Sequence, residues 1–199
     1  AGQADFGADW DALAAVLNTQ APLFLRANTL KTSPEALQER LDYEDIETRL
    51  CGQAALEVVK RQNVFTSQCF QEGLFEVQDL GSQDIAPFLQ VEPGQRVVDA
   101  CAGGGGKALH AAALMGNRGK LMALDIHAWK LDALRKRAKR AGVHCIESRV
   151  IESSKTIKRL DGNADRVLLD VPCSGSGVLR RKPDTKWKVT PESLAETKA

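Results

Sequence analysis

The chain has 199 residues, of which 43% are apolar, enough to bury a core in one large domain or two small ones. Its 27 basic and 26 acidic side chains nearly cancel, so bulk charge does not mark a nucleic-acid binder and any basic surface must be local. No apolar run approaches the ~20 residues that span a bilayer, the first ten residues lack a secretory pattern, and the five cysteines include no Cys-x-x-Cys pair. A zinc site and a disulfide framework are therefore not expected, and a reducing, cytoplasmic setting is.

In chain order, residues 9–19 predict a helix, with Trp10, Leu13, Val16 and Leu17 at helical spacing. Residues 22–28 predict a strand. Ser33-Pro34 predicts a helix start, Ser as cap and Pro at the first helical position. Residues 56–59 predict another strand. Together they form a small α+β domain over 1–75. From about residue 84 strands and helices alternate. The predicted strands are 96–100, 120–125, 143–147 and 165–170. The predicted helices are 107–115 and 128–141, the second capped by Gly142. This alternation predicts an α/β fold, a Rossmann-like doubly wound parallel sheet over 76–199, with ligands bound beyond the C-terminal strand ends. Asp125 and Asp170 end two of these strands and point at that crevice. Residues 167–171 are too apolar for an open sheet edge, so further strands, from a longer chain or a partner, are expected to cover them.

Three motifs carry chemistry. The first runs from Asp99 through Cys101, Ala102, Gly103, Gly104, Gly105 and Gly106 to Lys107. Glycines between a strand and a helix let the backbone approach a ligand with its N–H groups forward. The spacing is poor for a dinucleotide, and Asp99 would repel a pyrophosphate. Asp99 suits a cationic ligand such as S-adenosylmethionine (SAM), although a tight turn with no ligand has the same pattern. The second is Asp125, about 20 residues on, placed to accept both ribose hydroxyls of an adenosine. A helix-capping carboxylate is the plainer alternative.

The third motif runs from Asp170-Val-Pro-Cys173 through Ser-Gly-Ser-Gly to Arg180, Arg181, Lys182, Lys186, Trp187 and Lys188. It sets a thiol at a strand end, two glycines for close approach of a flat base, cations for phosphates and an aromatic face for stacking. A buried structural thiol, a solvated basic surface and a core aromatic are the competing readings. The N-terminal domain over 1–75 and the helix face around Lys130 and Arg137 are further candidates for RNA tracking, the helix face equally an ordinary solvated one.

Over roughly residues 22–187 the sequence resembles the RNA cytosine-5 methyltransferase family, the Sun/Fmu group of class I SAM-dependent enzymes. The likeness rests on four ordered blocks: Leu25 to Lys31, Val77 to Gln83, Cys101 to Lys107 and Asp170 to Gly177. Where the family has Ala-Pro in its SAM loop, this chain has Gly103-Gly104. Where an acidic residue is usual after the third strand, Ser148 and Arg149 stand. The family's nucleophilic cysteine lies in a Thr-Cys-Ser block that the 199 residues do not contain. The resemblance therefore implies that the main nucleophile lies downstream of Ala199, the last residue of the sequence.

The resemblance also implies methylation of cytosine C5 in RNA, ribosomal RNA before transfer RNA, with SAM as cofactor and no metal. Residues 101–107, Asp125 and Asp170 would line the cofactor. Cys173 would be the second cysteine, aiding product release, Asp170 would hold the cytosine edge, and Lys107 would line the junction of cofactor and base. Arg26, Arg180, Arg181, Lys186 and Trp187 would contact RNA, and Cys51, Cys69, Cys101 and Cys145 would be structural thiols. A cysteine thiolate adding to C6 makes C5 nucleophilic, and its later loss restores the ring. The target base must leave its stack to reach the site. Two other readings stay open: a SAM- or RNA-binding module without turnover, and a small-molecule methyltransferase on the same fold.

Overall fold

The computed structural model describes residues 2–158 and 160–198. Ala199, beyond which the nucleophilic cysteine is expected, lies outside the described residues. The chain divides into two compact units: Leu23–Asp170, and the two chain ends, up to Pro22 and from Val171. Among the described residues no helix is long and apolar enough to cross a membrane.

Unit Leu23–Asp170 contains two sheets. The first is antiparallel. Strand β1 (Leu23–Ala27) pairs on one side with β3 (Ala55–Val58) and on the other with β4 (Phe75–Val77), and β2 (Thr48–Leu50) lies outside β3. The Pro34–Asp42 helix starts as predicted: the Ser33 hydroxyl accepts from the Ala36 amide at 3.1 Å and Pro34 opens the first turn. Leu37 and Leu41, one turn apart, are fully buried against Leu25, Leu56 and Phe75.

The second sheet is parallel, with strands β5 (Arg96–Asp99), β6 (Lys120–Asp125), β7 (Ile146–Val150) and β8 (Arg166–Leu168) in the order β7-β6-β5-β8. The order reverses beside β5, which places the switch point between the ends of β5 and β8. Period-two alternation sorts the side chains. Leu121 and Ala123 of β6 join the core beneath the Gly106–Leu114 and Ala128–Ala141 helices, and Met122 and Leu124 join Val98 on the opposite face. Gly142 ends the second helix at φ 72°, as expected of a glycine cap.

Two strands depart from expectation by more than one residue at an end. The third strand begins at Ile146, not at residue 143, because the Val143 amide donates to the Ala138 carbonyl (2.9 Å) and closes the last turn of the helix. Ser148 and Arg149 therefore sit inside β7, and the acidic residue beyond its end is Glu152. The fourth strand is three residues long. It lies at the sheet edge, with Val167 52% and Leu169 66% exposed.

In the other unit, the predicted helix over 9–19 is Trp10–Leu17, preceded by Gly2–Phe6 and a single 3-10 turn, Gly7–Asp9.

Candidate functional site

The switch point holds a cleft of about 220 Å³, walled by Gln78, Asp99, Cys101, Lys107, Arg137 and Asp170. Each reaches it for a local reason. Asp99 ends β5 and is 2% exposed. Lys107 is the second residue of the Gly106–Leu114 helix. Asp170 follows β8, and its Oδ2 lies 2.6 Å from Lys107 Nζ.

The glycine loop is folded for close packing. Gly105 caps the helix at φ 84°, a region that disfavours side chains, and a Cβ there would meet Leu134 Cγ at 2.6 Å. The Ala102 amide donates to the Leu124 carbonyl (2.8 Å) and the Gly103 amide to Asp125 Oδ2 (3.0 Å). Asp125 Oδ1 accepts from the His127 amide at 2.8 Å, at the entry to the Ala128–Ala141 helix. The local, turn-forming use of Asp125 is therefore present. Each of its oxygens retains a lone pair, and Lys130 Nζ stands 3.9 Å away. Asp125 does not line the 220 Å³ cleft itself.

Burial pushes the Asp99 carboxyl up to about 6. Asp170 and Asp125 add to the rise, and the Cys101 amide and Lys107 oppose it. The Cys101 thiol is also raised, by burial and then by Asp99, Asp125 and Asp170, which fits an inert thiol. The cleft thus sets a reluctant anion, Asp99, beside an ion pair and loop backbone. It suits a ligand with a cationic group.

The remaining predicted residues are more scattered. Arg26 is not at the surface. It is 4% exposed, and its Nη1 donates to the Gly106 carbonyl (2.8 Å) and to Gln78 Oε1. Arg137, on the helix face considered for RNA tracking, has its side chain 28% exposed and donates to Glu76 (2.9 Å) and to the Gly104 carbonyl (2.6 Å). Sequence reasoning placed both cations in water because their partners lie far off in the chain. In the other unit, Arg180 donates to Thr19 Oγ1 (3.1 Å) and the Gln20 carbonyl (3.2 Å), and Arg181 to the Pro22 carbonyl (3.1 Å). Trp187 is 82% exposed with Lys186 Nζ 5.8 Å from its ring centroid, so it is no core aromatic. Cys173 is exposed, not a buried thiol. Gln78 and Ser82 of the cleft wall were missed as site residues, and Arg137 was considered only as a cation of the helix face. The block Val77 to Gln83 was the available signal for the first two.

Comparison with known proteins agrees with this arrangement. The family described as 16S rRNA methyltransferase RsmB/F matches residues 86–199, and its ferredoxin-like domain matches residues 2–64. A probable ribosomal RNA small subunit methyltransferase B of Synechocystis sp. is 37% identical over 194 residues, which cover 94% of this chain and 43% of that protein. The chain therefore spans less than half the length of that curated relative. The crystal structure of PH0851 superposes with a TM-score of 0.90 at 28% identity, covering 98% of this chain and 45% of the other. A methyltransferase homolog protein from Pyrococcus horikoshii gives 0.78 at 29%, covering 92% and 61%. The parallel sheet is the Rossmann-like methyltransferase fold that the alternation of elements predicted, and the chain belongs to the 16S rRNA methyltransferase RsmB/F family.

Proposed function

We propose that this chain carries the SAM site and part of the catalytic centre of an enzyme that methylates C5 of cytosine in RNA, ribosomal RNA before transfer RNA. The observation that carries the reading is the cleft at the β5/β8 switch point, where Asp99, Lys107 and Asp170 meet the glycine loop.

The residues present fit the cofactor. SAM has an α-ammonium and a sulfonium, and when bound it supplies an electrophilic methyl group. Asp99 offsets that positive charge from inside the cleft wall. The loop 101–107 offers backbone close to the ligand, because no side chain projects from Gly103 to Gly106. Asp125 offers its free lone pairs to ribose hydroxyls at the end of β6. Lys107 holds Asp170 in place and keeps its carboxylate available to the N3/N4 edge of the base. Cys173, three residues on and exposed, is the thiol assigned to product release. Residues 1–75 are assigned to RNA engagement and 76–199 to the cofactor. Arg180, Arg181, Lys186 and Trp187 are assigned to RNA backbone and stacking contacts.

The Thr-Cys-Ser block is not among the 199 residues, and its cysteine is assigned to a position downstream of Ala199. That supports a second reading for this stretch taken alone: binding without turnover. Both are tested together. Full-length protein with methyl-labelled SAM is expected to place label on cytosine C5 of ribosomal RNA, and the isolated 199 residues to place none. No label from the full-length protein on ribosomal or transfer RNA would overturn the first reading. Label from the isolated stretch would overturn the second.

A further inference from the structure

Three arginines converge on one buried carboxylate behind the glycine loop. Glu76 of β4 stands opposite Arg26 of β1 in the sheet register, and its side chain is 6% exposed. It accepts from Arg137 (2.9 Å) and from Arg140, and Arg140 also stacks on Phe70 at 3.7 Å. Arg26 lies beside this group, yet its Nη1 hydrogen bonds go to Gly106 and Gln78.

Burying a guanidinium is costly unless its donors are used. Burial does lower Arg26, to about 10, with Glu76 opposing that fall and Arg137 adding to it. The Glu76 salt bridge takes Nε and Nη2 of Arg137 and leaves Nη1 without a partner on that carboxylate. Nη1 reaches the Gly104 carbonyl at 2.6 Å, and Arg26 reaches the Gly106 carbonyl at 2.8 Å. Two cations from different parts of the unit thus hold alternate carbonyls of one loop. The residue between them, Gly105, packs on Leu134 in a left-handed conformation. Without these bonds a run of four glycines has many conformations of similar energy.

We propose that Arg26 and Arg137 are positioning residues for the donor cleft: each fixes one carbonyl of the glycine loop, and Glu76 keeps Arg137 within reach. On this account Arg26 serves donor binding, not RNA contact. The inference rests on reading the cleft as a SAM site.

The test uses the full-length protein and S-adenosylhomocysteine as probe, with calorimetry for affinity and amide hydrogen exchange for residues 102–107. Arg26→Met and Arg137→Gln are expected to weaken probe binding about tenfold, the scale of one charge-assisted hydrogen bond. Both should speed exchange in the loop and leave RNA affinity within about twofold of wild type. Both contacts of Arg26 run through a single nitrogen. Arg26→Lys should therefore restore most of the loss, which a purely steric role would not predict. Arg26→Met could fail to fold; Arg137→Gln, which leaves Glu76 paired with Arg140, then decides alone. Wild-type probe affinity and loop exchange in folded Arg137→Gln would overturn the proposal. So would an Arg26→Met protein that loses RNA affinity and keeps the probe. If the wild-type protein does not take up the probe, the SAM reading fails, and loop exchange still reports on the clamp.

Discussion

Lys107 Nζ and Asp170 Oδ2 lie 2.6 Å apart, joining the start of the helix after β5 to the loop after β8, 63 residues further along the chain. The pair spans the switch point and closes one side of the cleft. The Lys107 side chain is 19% exposed and that of Asp170 is 52%, so the bond is worth more for orientation than for stability.

Lys107→Met should therefore cost function more than folding. Methyl transfer by the full-length protein is expected to fall about 10²-fold in kcat/KM, with Lys107→Arg retaining part of the activity. Thermal melting should move little. Initial rates of label incorporation, paired with a melting curve for each variant, check both halves of the expectation.

Asp99 predicts a pH dependence for donor binding. Its folded-state value is about 6, raised above the ordinary carboxyl value of 3.8 mainly by burial. A cationic ligand favours the ionised form, so affinity should fall as pH drops through about 6 and level off above it. For folding the sign is opposite: the buried charge makes Asp99 stabilising below its unfolded value, and that contribution is lost as pH rises through about 6. Calorimetric titration with S-adenosylhomocysteine from acid to alkaline pH should show the step, and Asp99→Asn should abolish it.

His110 predicts a pH dependence of folding stability. It is 6% exposed, its Nδ1 has no hydrogen-bond partner among the described residues, and burial lowers it to about 3 from 6.5. The unfolded chain takes up a proton below 6.5 that the folded chain refuses, so stability declines as pH falls from 6.5 towards 3. The slope for one proton is at most about 1.4 kcal/mol per pH unit. Urea unfolding across that window should be flatter for His110→Leu than for wild type. An unchanged slope would show that other groups govern the acid limb.

The glycine loop gives a paired test. Gly105 combines φ 84° with a Cβ position 2.6 Å from Leu134 Cγ, whereas Gly103 has φ 53° and open space around it. Gly103→Ala should cost about 1 kcal/mol, from backbone conformation only. Gly105→Ala adds overpacking and should cost about 2–4 kcal/mol. Chemical denaturation of the two variants side by side measures the difference.

How much of this was legible from sequence depends on the range of the interactions. The helix caps at Ser33 and Gly142 were readable because each acts within a few residues of itself. The β6 bounds, Lys120–Asp125, and the helix Ala128–Ala141 followed from periodicity. The start of β7 was misplaced by three residues because Val143, a good strand former, is held by a backbone bond to Ala138. The settings of Arg26 and Arg137 were not legible for a different reason. A charged side chain reads as solvated unless its partners are known, and here they are Gly106, Gln78, Glu76 and Gly104, brought together only by the tertiary fold. The thiol of Cys173 and the ring of Trp187 were each left between a buried and an open setting. Both are exposed, an outcome that local sequence does not decide.

Asp125 fastens two turns at once, the glycine loop through the Gly103 amide and the helix entry through the His127 amide. The backbone at the end of β6 and that of the glycine loop are thereby tied to one carboxylate. Ordering a backbone residue opposes association by ~1–2 kcal/mol when it must happen on contact with a ligand. Here two amide bonds to one carboxylate hold that backbone within the folded unit, so its ordering does not fall on a later encounter.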